Sequence, residues 1–368
     1  MAKKQTSRKG SRWGTKLLLG LVATGSFAIA FGEEQIGQFV TGGNTAKSGC
    51  LDQFYRSEPP ILVNEKLKTD SYALCYNGFN IIYSGTTKTP LWVAEYLSPD
   101  RLSQKIKRED SFHEEEKVAV KHRALLSDYR GSGYDRGHMA PNADMPTKVA
   151  QFDSFSLANM IPQSPKNNQE VWRKLEEATR ALVTKNKQDV YVVTGPLFTA
   201  KRLKTIGKNK VVVPSAVFKA IYIPKTGEIG AYYAPNDNSL QVKIVSICYL
   251  EEQLGMNLFP QLTAEQKRNI HQLPLSTTEI VKGKKLPFAT WDAESQCAPD
   301  IKSDQVKAVQ KQFKSSSANA ASTTTESSAG QTGATEAKKP QADEASQQTG
   351  IFQQILTMLL QFLLQLLK

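Results

Sequence analysis

The densest cluster of reactive side chains lies between Asp128 and Met145, where the chain reads DYRGSGYDRGHMAPNADM. Glycines in this segment permit tight backbone geometry around Arg136 and His138. A histidine held beside Asp135 and an arginine can act as a general base near neutral pH, and a guanidinium group matches the geometry of a phosphate. The segment therefore indicates base catalysis next to a phosphate-binding group. A glycine-rich turn with a surface histidine is the alternative.

A second cluster lies in the segment 159–176, which reads NMIPQSPKNNQEVWRKLE. Asn168, Trp172 and Glu176 recur every four residues, so they share one side of a helix predicted to begin near Asn168. An amide oxygen there can bind a hard cation such as Mg²⁺, which keeps most of its waters when protein ligands are few. Glu176 would lie about 12 Å further along the axis and would hold a metal-bound water. The alternative for Asn168 is a helix N-cap, and Trp172 is interpreted as a core residue.

These clusters fall within residues 50–300, which we interpret as one domain because no repeat or linker interrupts them. Short β-rich runs alternate there with two helical patterns, at 169–184 and at 263–270, and the second opens with a capping box. An α+β domain with a mainly antiparallel central sheet and flanking helices follows. The predicted strands are 79–84, 91–97, 190–194, 211–214, 217–223, 229–233 and 242–247.

The motif YDRGHMAP at 134–141 resembles the signature of the DNA/RNA non-specific endonucleases, a family that includes secreted bacterial nucleases and mitochondrial endonuclease G. The segment 159–176 follows at the family's usual distance. YVVTGPLF at 191–198 and VPSAVFKAIY at 213–222 are similar to later landmarks of the same family. The resemblance runs through most of residues 70–275, and both ends of the chain lie outside it.

This resemblance implies a ββα-metal active-site motif, in which a hairpin and a helix place one histidine and one asparagine around a single divalent ion. It assigns His138 as the general base and Asn168 as the direct ligand of Mg²⁺, for which Mn²⁺ would substitute. Glu176 matches the acid that orders metal-bound water, and Arg136 matches the arginine that contacts the phosphate. Arg108 falls where the family's second phosphate-binding arginine is expected. This assignment depends on the spacing from the motif more than on the identity of the surrounding residues.

The resemblance and the residue types together predict an enzyme that hydrolyses double- and single-stranded DNA and RNA and leaves 5′-phosphates. Contacts to phosphates carry no sequence information, which favours broad activity. The alternative is a catalytically weak nucleic-acid-binding or uptake protein on the same fold, and the complete set of site residues argues against it. No P-loop, HExxH or CxxC motif occurs, and His113, His122 and His271 are interpreted as structural or surface groups.

The N-terminal segment 1–31 predicts export or membrane attachment. It combines six Lys and Arg residues, no acid, and the apolar run LLLGLVATGSFAIAF. This pattern is typical of a cleaved signal peptide, with an N-terminal membrane anchor or a mitochondrial presequence as the alternatives. The expected location is therefore secreted or periplasmic, with a membrane-anchored form and mitochondria as the other candidates.

Four cysteines, all beyond this segment, suit an oxidising compartment. We favour the pairs Cys50–Cys75 and Cys248–Cys297 because each closes a local loop, with four buried thiols as the alternative.

The C-terminal end differs in composition from the rest of the chain. Residues 315–349 are rich in Ser, Thr, Ala and Gln, which predicts a disordered linker. Residues 350–368 form an apolar pattern with a narrow polar stripe, which predicts an amphipathic helix that associates with itself or with a membrane surface. DNA, RNA and a second copy of the chain are thus the expected partners, and the sequence identifies no inhibitor protein. With 40% hydrophobic and 22% charged residues overall, the composition excludes a fully disordered or polytopic membrane protein.

Overall fold

The computed structural model describes residues 49–322, and the N-terminal segment 1–31 and the C-terminal segment 350–368 lie outside this range. Two-residue and longer strands occur throughout it. In chain order they are β1 (Ile61–Leu62), β2 (Ser71–Cys75), β3 (Asn80–Ser84), β4 (Thr89–Leu97), β5 (Asp135–His138), β6 (Met160–Gln163), β7 (Val190–Leu197), β8 (Thr205–Ile206), β9 (Val211–Val212), β10 (Ala216–Ile223), β11 (Glu228–Pro235), β12 (Lys243–Val245), β13 (Met256–Asn257), β14 (Asn269–His271) and β15 (Phe288–Trp291).

The helices are shorter and lie between the strands. The α-helices are α1 (Pro99–Ser103), α2 (Leu126–Tyr129), α3 (Lys148–Ser154), α4 (Arg173–Asn186), α5 (Ile247–Leu254), α6 (Ala264–Arg268) and α7 (Ser303–Ser322). A π-helical segment, Asn167–Trp172, runs directly into α4. Single 3₁₀ turns occur at Tyr55–Ser57, Glu65–Lys68, Val120–His122, Asn142–Asp144, Leu157–Asn159 and Thr277–Glu279.

A seven-stranded sheet forms the centre of the fold, with the order β12, β11, β10, β7, β4, β3, β2. Every neighbouring pair in it is antiparallel. Successive side chains of a strand point to opposite faces, so Trp92 and its neighbour Val93 enter different cores. The predicted α+β class with a mainly antiparallel sheet is confirmed.

Each face of the sheet is covered by different elements. On one face, Trp172 of the π-helical segment and Leu175 and Val183 of α4 pack on apolar side chains of the central strands. On the other face, the segment 49–60 before β1 and helix α7 pack on the sheet through Phe54 and Phe313. The long apolar runs in β4, β7 and β10 follow from this two-sided burial.

Most predicted elements shift by a few residues in the structure, and three are markedly shorter than expected. The strand expected at 242–247 ends at Val245, because the Ser246 hydroxyl caps α5 by accepting a hydrogen bond from the Tyr249 amide at 2.9 Å. The strand expected at 211–214 is reduced to two residues. The helix expected at 263–270 ends at Arg268, and the chain then enters β14; its predicted capping box between Thr263 and Gln266 is present.

Both favoured disulfides are present. Cys50–Cys75 joins the segment before β1 to β2, and Cys248–Cys297 joins α5 to the segment before α7. Among residues 49–322, therefore, every cysteine is paired.

Helix α7 extends the compact part of the chain beyond residue 300, where the domain was expected to end. Phe313 of α7 is fully buried, and its ring lies 5.2 Å from Phe54 and 5.8 Å from Trp92. The compact unit continues to Ser317, and the helix continues to Ser322. Residues 315–322 of the expected linker therefore belong to α7. The linker itself stays a prediction. No helix of the described residues is long and apolar enough to span a membrane.

Replacing Phe313 by alanine tests the contribution of α7 to the fold. Removal of a fully buried ring should lower the free energy of unfolding by about 3–5 kcal/mol, measured by urea denaturation. Val149→Ala, at a side chain that is 61% exposed, is the control and should change stability little. An unaltered urea midpoint for Phe313→Ala would show that α7 does not stabilise the sheet.

Candidate active site

Strand β5 carries Arg136 and His138 and pairs with β6, with Arg136 opposite Pro162 and His138 opposite Met160. Between them, Gly137 lies against Gln163: a Cβ atom at this glycine would fall 1.9 Å from Gln163 Oε1. Only glycine therefore permits β5 to approach β6 this closely. The glycine of the DRGH motif is explained by this contact.

Asn159 fixes the chain where it leaves β5. Its Oδ1 accepts a hydrogen bond from the Ala140 amide at 2.9 Å, and its Nδ2 donates to the carbonyls of Ala140 and Ser154, both at 2.8 Å. The Met139 amide donates to the Asn159 carbonyl at 3.0 Å. All of these groups are buried, so the direction of the chain after His138 is strongly restrained.

Asn168 lies inside the π-helical segment, and the chain is already helical at Pro165. Its backbone N–H donates to the Ser164 carbonyl at 2.9 Å, as in a helix interior. Asn168 is therefore not the N-cap of the helix. The start of the helix is tied to the sheet by Asn167, whose Nδ2 donates to the Pro235 carbonyl at 2.9 Å and whose Oδ1 accepts from Gln163 Nε2. Such π-bulges occur often at functional sites.

The structure brings the predicted site residues together around one open cavity of about 980 Å³. The side chains that line it include Arg108, Asp135, Arg136, His138, Asn168 and Glu176. Trp172 instead is buried in the core, as expected. Sequence reasoning missed several other lining residues: Asp110, Phe112, Leu126, Tyr129, Arg130, Tyr134, Pro141, Asn142, Gln169, Glu170 and Arg173.

Asp135 orients the side chain of Asn168. Its Oδ2 accepts hydrogen bonds from Asn168 Nδ2 at 2.9 Å and from Gln169 Nε2 at 2.8 Å. With Nδ2 engaged, the Oδ1 of Asn168 remains as an acceptor at the cavity. No group of three or more His, Cys, Asp or Glu side chains that could hold a metal occurs within residues 49–322.

His138 is held between two aromatic rings. Its ring lies 5.6 Å from Phe112 and 5.0 Å from Phe155, nearly perpendicular to the latter. The Nε2 atom is buried and has no hydrogen-bond partner among the described residues. Burial, with help from the charges of Arg108 and Arg136 and against that of Asp110, lowers the pKa of His138 to about 3. The imidazole is therefore neutral at physiological pH and able to accept a proton.

The same two rings position both arginines. The Arg136 guanidinium lies 3.9 Å from the centre of the Phe112 ring, and that of Arg108 lies 5.3 Å from the centre of the Phe155 ring. Arg108 also pairs with Asp110 at 2.6 Å in a solvent-exposed contact, which contributes little to stability. The aromatic pair was not singled out from the sequence, although Phe112 lies only four residues after Arg108.

Glu176 lies at the opposite side of the site, partly buried near a row of interior charges. Burial raises the pKa of its carboxyl to about 7, while Lys219 and Arg180 oppose the shift. Lys219 is a fully buried lysine in the centre of β10; its Nζ donates to Thr194 Oγ1 at 2.9 Å and lies 5.6 Å from the Trp172 ring centre. A lysine within an otherwise apolar strand run was the sequence signal for this group.

The row of charges continues away from Glu176. Arg180 pairs with buried Asp144 at 2.8 Å. Arg101 donates through Nε to the Asp144 carbonyl at 2.7 Å and pairs with buried Glu95 at 3.3 Å. Burial raises the pKa of Glu95 to about 8, with Asp144 adding to the shift. Buried ionisable groups persist only when they are paired, and these contacts supply the partners.

A neutral histidine, two arginines and an oriented amide around one open cavity define a class of protein that acts on phosphodiesters. The comparisons with known proteins agree with this class. A model of the DNA/RNA non-specific endonuclease family matches residues 59–265, more than half of the chain. The chain belongs to this family, as the sequence motifs predicted, and it is a nuclease.

Its relatives are nucleases from distant organisms. Mitochondrial endonuclease G of Homo sapiens is 37% identical over 214 residues, which covers 53% of this chain and 69% of that protein. A nuclease of Nostoc sp. is 33% identical over 224 residues, with coverage of 56% and 79%. A solved complex of EndoG with EndoGI is 27% identical, with a TM-score of 0.47 and coverage of 53% of this chain and 89% of that one.

Replacing Lys219 by methionine tests the electrostatic link to Glu176. Because Lys219 favours the ionised carboxylate, its removal should raise the pKa of Glu176 further above its ordinary value. The measurement is a carbon-13 NMR titration of the carboxyl in metal-free protein. Lys174→Met is the matched control, since Lys174 is an exposed lysine of α4, the helix that carries Glu176. If both variants shift the pKa of Glu176 equally, or if neither variant shifts it, Lys219 does not act on Glu176.

Proposed function

We propose that the protein is a sugar-non-specific endonuclease that hydrolyses phosphodiester bonds of double- and single-stranded DNA and of RNA with one divalent metal, leaving 5′-phosphates. The observation that carries the proposal is the convergence of neutral His138, Arg136 and Asn168 on one cavity. Nuclease activity itself follows from the family.

His138 is proposed as the general base that takes the proton from the attacking water. Its low pKa keeps a nitrogen lone pair free, and its position against Phe112 and Phe155 restricts the ring to few orientations. Arg136 and Arg108 are proposed to bind the non-bridging oxygens of the phosphate, where negative charge accumulates during attack. Phe112 and Phe155 thus contact the proposed base and both proposed phosphate-binding arginines.

Asn168 is proposed as the direct metal ligand. Its Oδ1 is left as an acceptor because Nδ2 donates to Asp135, and one amide oxygen suits a hard cation that retains most of its waters, which favours Mg²⁺ with Mn²⁺ as a substitute. Glu176 is proposed to hold one of those waters through its carboxylate. When bound, the ion would supply Lewis-acid stabilisation of charge at the leaving 3′-oxygen.

The proposed lack of specificity follows from the chemistry of the cavity. The groups assigned to substrate binding are guanidinium groups, which recognise phosphates and carry no information about base or sugar. The cavity is open to solvent, and duplex and single strands alike are proposed as its substrates.

We propose that the protein works in an oxidising compartment reached through its N-terminal segment, because both pairs of cysteines form disulfides. Secretion or periplasmic export is the first candidate. The names of relatives such as mitochondrial endonuclease G and the mitochondrial nuclease of Saccharomyces cerevisiae favour mitochondria. N-terminal sequencing of the mature protein from fractionated cells would distinguish export from mitochondrial import.

Replacing His138 by alanine should lower the turnover number at least 10²-fold, the usual range for loss of a general base, while DNA binding is retained. Supercoiled plasmid and total RNA are the substrates, each with Mg²⁺ and with EDTA. His122→Gln, at a histidine outside the cavity, is the control and should cleave normally. Cleavage by His138→Ala at the wild-type rate would refute the mechanism, and wild-type protein that binds DNA without cleaving it would favour a binding platform.

Replacing Asn168 by alanine should raise the Mg²⁺ concentration needed for half-maximal cleavage at least tenfold, because the protein loses its direct oxygen ligand. Gln169→Ala is the matched control, since Gln169 donates to the same Asp135 oxygen. Isothermal titration of Mn²⁺ into both variants measures metal affinity independently of activity. The same Mn²⁺ affinity in both variants would exclude Asn168 as the ligand.

A further inference from the structure

A group of exposed basic and aromatic residues lies outside the part of the chain matched to the family. It consists of Lys282, Lys284, Lys285, Phe288 and Trp291, which we call the basic–aromatic strip. Phe288 is 57% exposed and Trp291 is 47% exposed, which is unusual for side chains of this size. The family model matches the chain only up to residue 265, so the strip lies outside the matched part, and it has no place in the mechanism above.

A β-bulge brings the two aromatic side chains to one face. In the hairpin of β14 and β15, Asn269 lies opposite Trp291 and His271 lies opposite Phe288, and the register shifts between these pairs. Asn269 and His271 are two residues apart, so they point to the same side of the ladder. Their partners Phe288 and Trp291 must therefore share that side, although they are three residues apart.

Neighbouring side chains hold the two rings in place. The Arg268 guanidinium lies 5.4 Å from the centre of the Trp291 ring and donates to the Asp292 carbonyl at 2.6 Å. The His271 ring lies 5.8 Å from Phe288, nearly perpendicular to it. The rings are thus fixed in orientation while much of their surface stays accessible, as in a stacking platform.

The lysines of the strip have free ammonium groups on an anchored backbone. Within residues 49–322, none of the three makes a hydrogen bond or ion pair through its side chain. The loop itself is fixed by the Gly283 amide, which donates to Asn186 Oδ1 at 2.9 Å, and by Lys185 Nζ, which donates to the Thr277 carbonyl at 2.6 Å. The nearby acid Glu279 accepts from the Leu275 amide at 2.9 Å and the Ser276 hydroxyl at 3.1 Å.

The strip lies at the far end of the helix that carries the metal ligand. Asn168 lies at the start of this helix and Asn186 at its end, so by helix rise the two are about 27 Å apart. A nucleic-acid strand covers this distance in about eight nucleotides. Between Asn168 and Asn186 the exposed cations are Arg173, Lys174 and Lys185, against the exposed acids Glu170 and Glu177.

We propose that the basic–aromatic strip is a second binding surface for the nucleic-acid substrate, remote from the scissile phosphate. The lysines bind backbone phosphates, and Phe288 and Trp291 stack on unpaired bases. Charge complementarity selects a polyanion. Two exposed rings on one side of the hairpin, with three free ammonium groups on the loop that leads into β15, match the components of single-strand binding surfaces. The inference rests on the proposed function for the identity of the substrate.

The experiment uses the full chain with His138→Ala, so that substrate stays intact, and measures Kd by fluorescence anisotropy. The probes are duplexes of about 30 and about 6 base pairs and a single strand of about 30 nucleotides, since only the longer ones span the helix. Lys282→Ser/Lys284→Ser/Lys285→Ser should raise Kd for the long duplex about tenfold and make its salt dependence shallower. The short duplex should bind as before.

Two further variants make the test specific. Lys302→Ser/Lys307→Ser/Lys311→Ser removes the same charge from exposed lysines on or beside α7, and it should leave Kd unchanged. Phe288→Ala/Trp291→Ala should weaken the single strand more than the duplex, because stacking requires unpaired bases.

Several outcomes would overturn the inference. The first is an equal loss of affinity for long and short duplexes in the triple-lysine strip variant. The second is an equal loss of affinity in the α7 control variant. The third is an unchanged Kd in both strip variants. Strip-dependent binding to vesicles of phosphatidylcholine and phosphatidylglycerol, with unchanged Kd for nucleic acid, would assign the strip to a membrane instead. Cleavage assays on protein that retains His138 test the proposed function separately. Binding through the strip needs no catalysis, so either proposal can fail without the other.

Discussion

The close contact between Gly137 and Gln163 is the constraint on which the site depends. It permits β5 to lie against β6 without an intervening side chain, and β5 carries the proposed base. Gln163 also donates to Asn167, which in turn is bonded to the end of β11. A single connected set of contacts therefore joins the histidine strand, the asparagine helix and the central sheet, and a shift of any one of them would move the others.

Burial tunes the two titrating groups of the site in opposite directions. It lowers the pKa of His138, because a cationic ring would lose its hydration, and raises the pKa of Glu176, because a carboxylate would lose its own. The charges nearby differ accordingly: the arginines beside His138 deepen its shift, whereas Lys219 limits the shift of Glu176.

The parts of the chain outside the family match act on stability and surface. Cys50 and Cys297 lie outside residues 59–265, as do Phe313 and the hairpin of β14 and β15. The Cys50–Cys75 disulfide and α7 attach the two ends of the compact unit to the sheet, and the Cys248–Cys297 disulfide attaches the segment before α7 to α5. The hairpin adds an exposed basic and aromatic surface.

The sequence by itself determined the class of fold, the family, and the six side chains expected at the site, because β-rich runs and short motifs such as DRGH depend on local spacing. It did not reveal Phe112 and Phe155 as the wall behind His138, nor Lys219 beneath Glu176. These contacts join residues that are distant along the chain, and only the packing of sheet, hairpin and helix brings them within a few ångströms. The pKa shifts likewise arise from burial, which is a property of the tertiary structure and not of any local pattern.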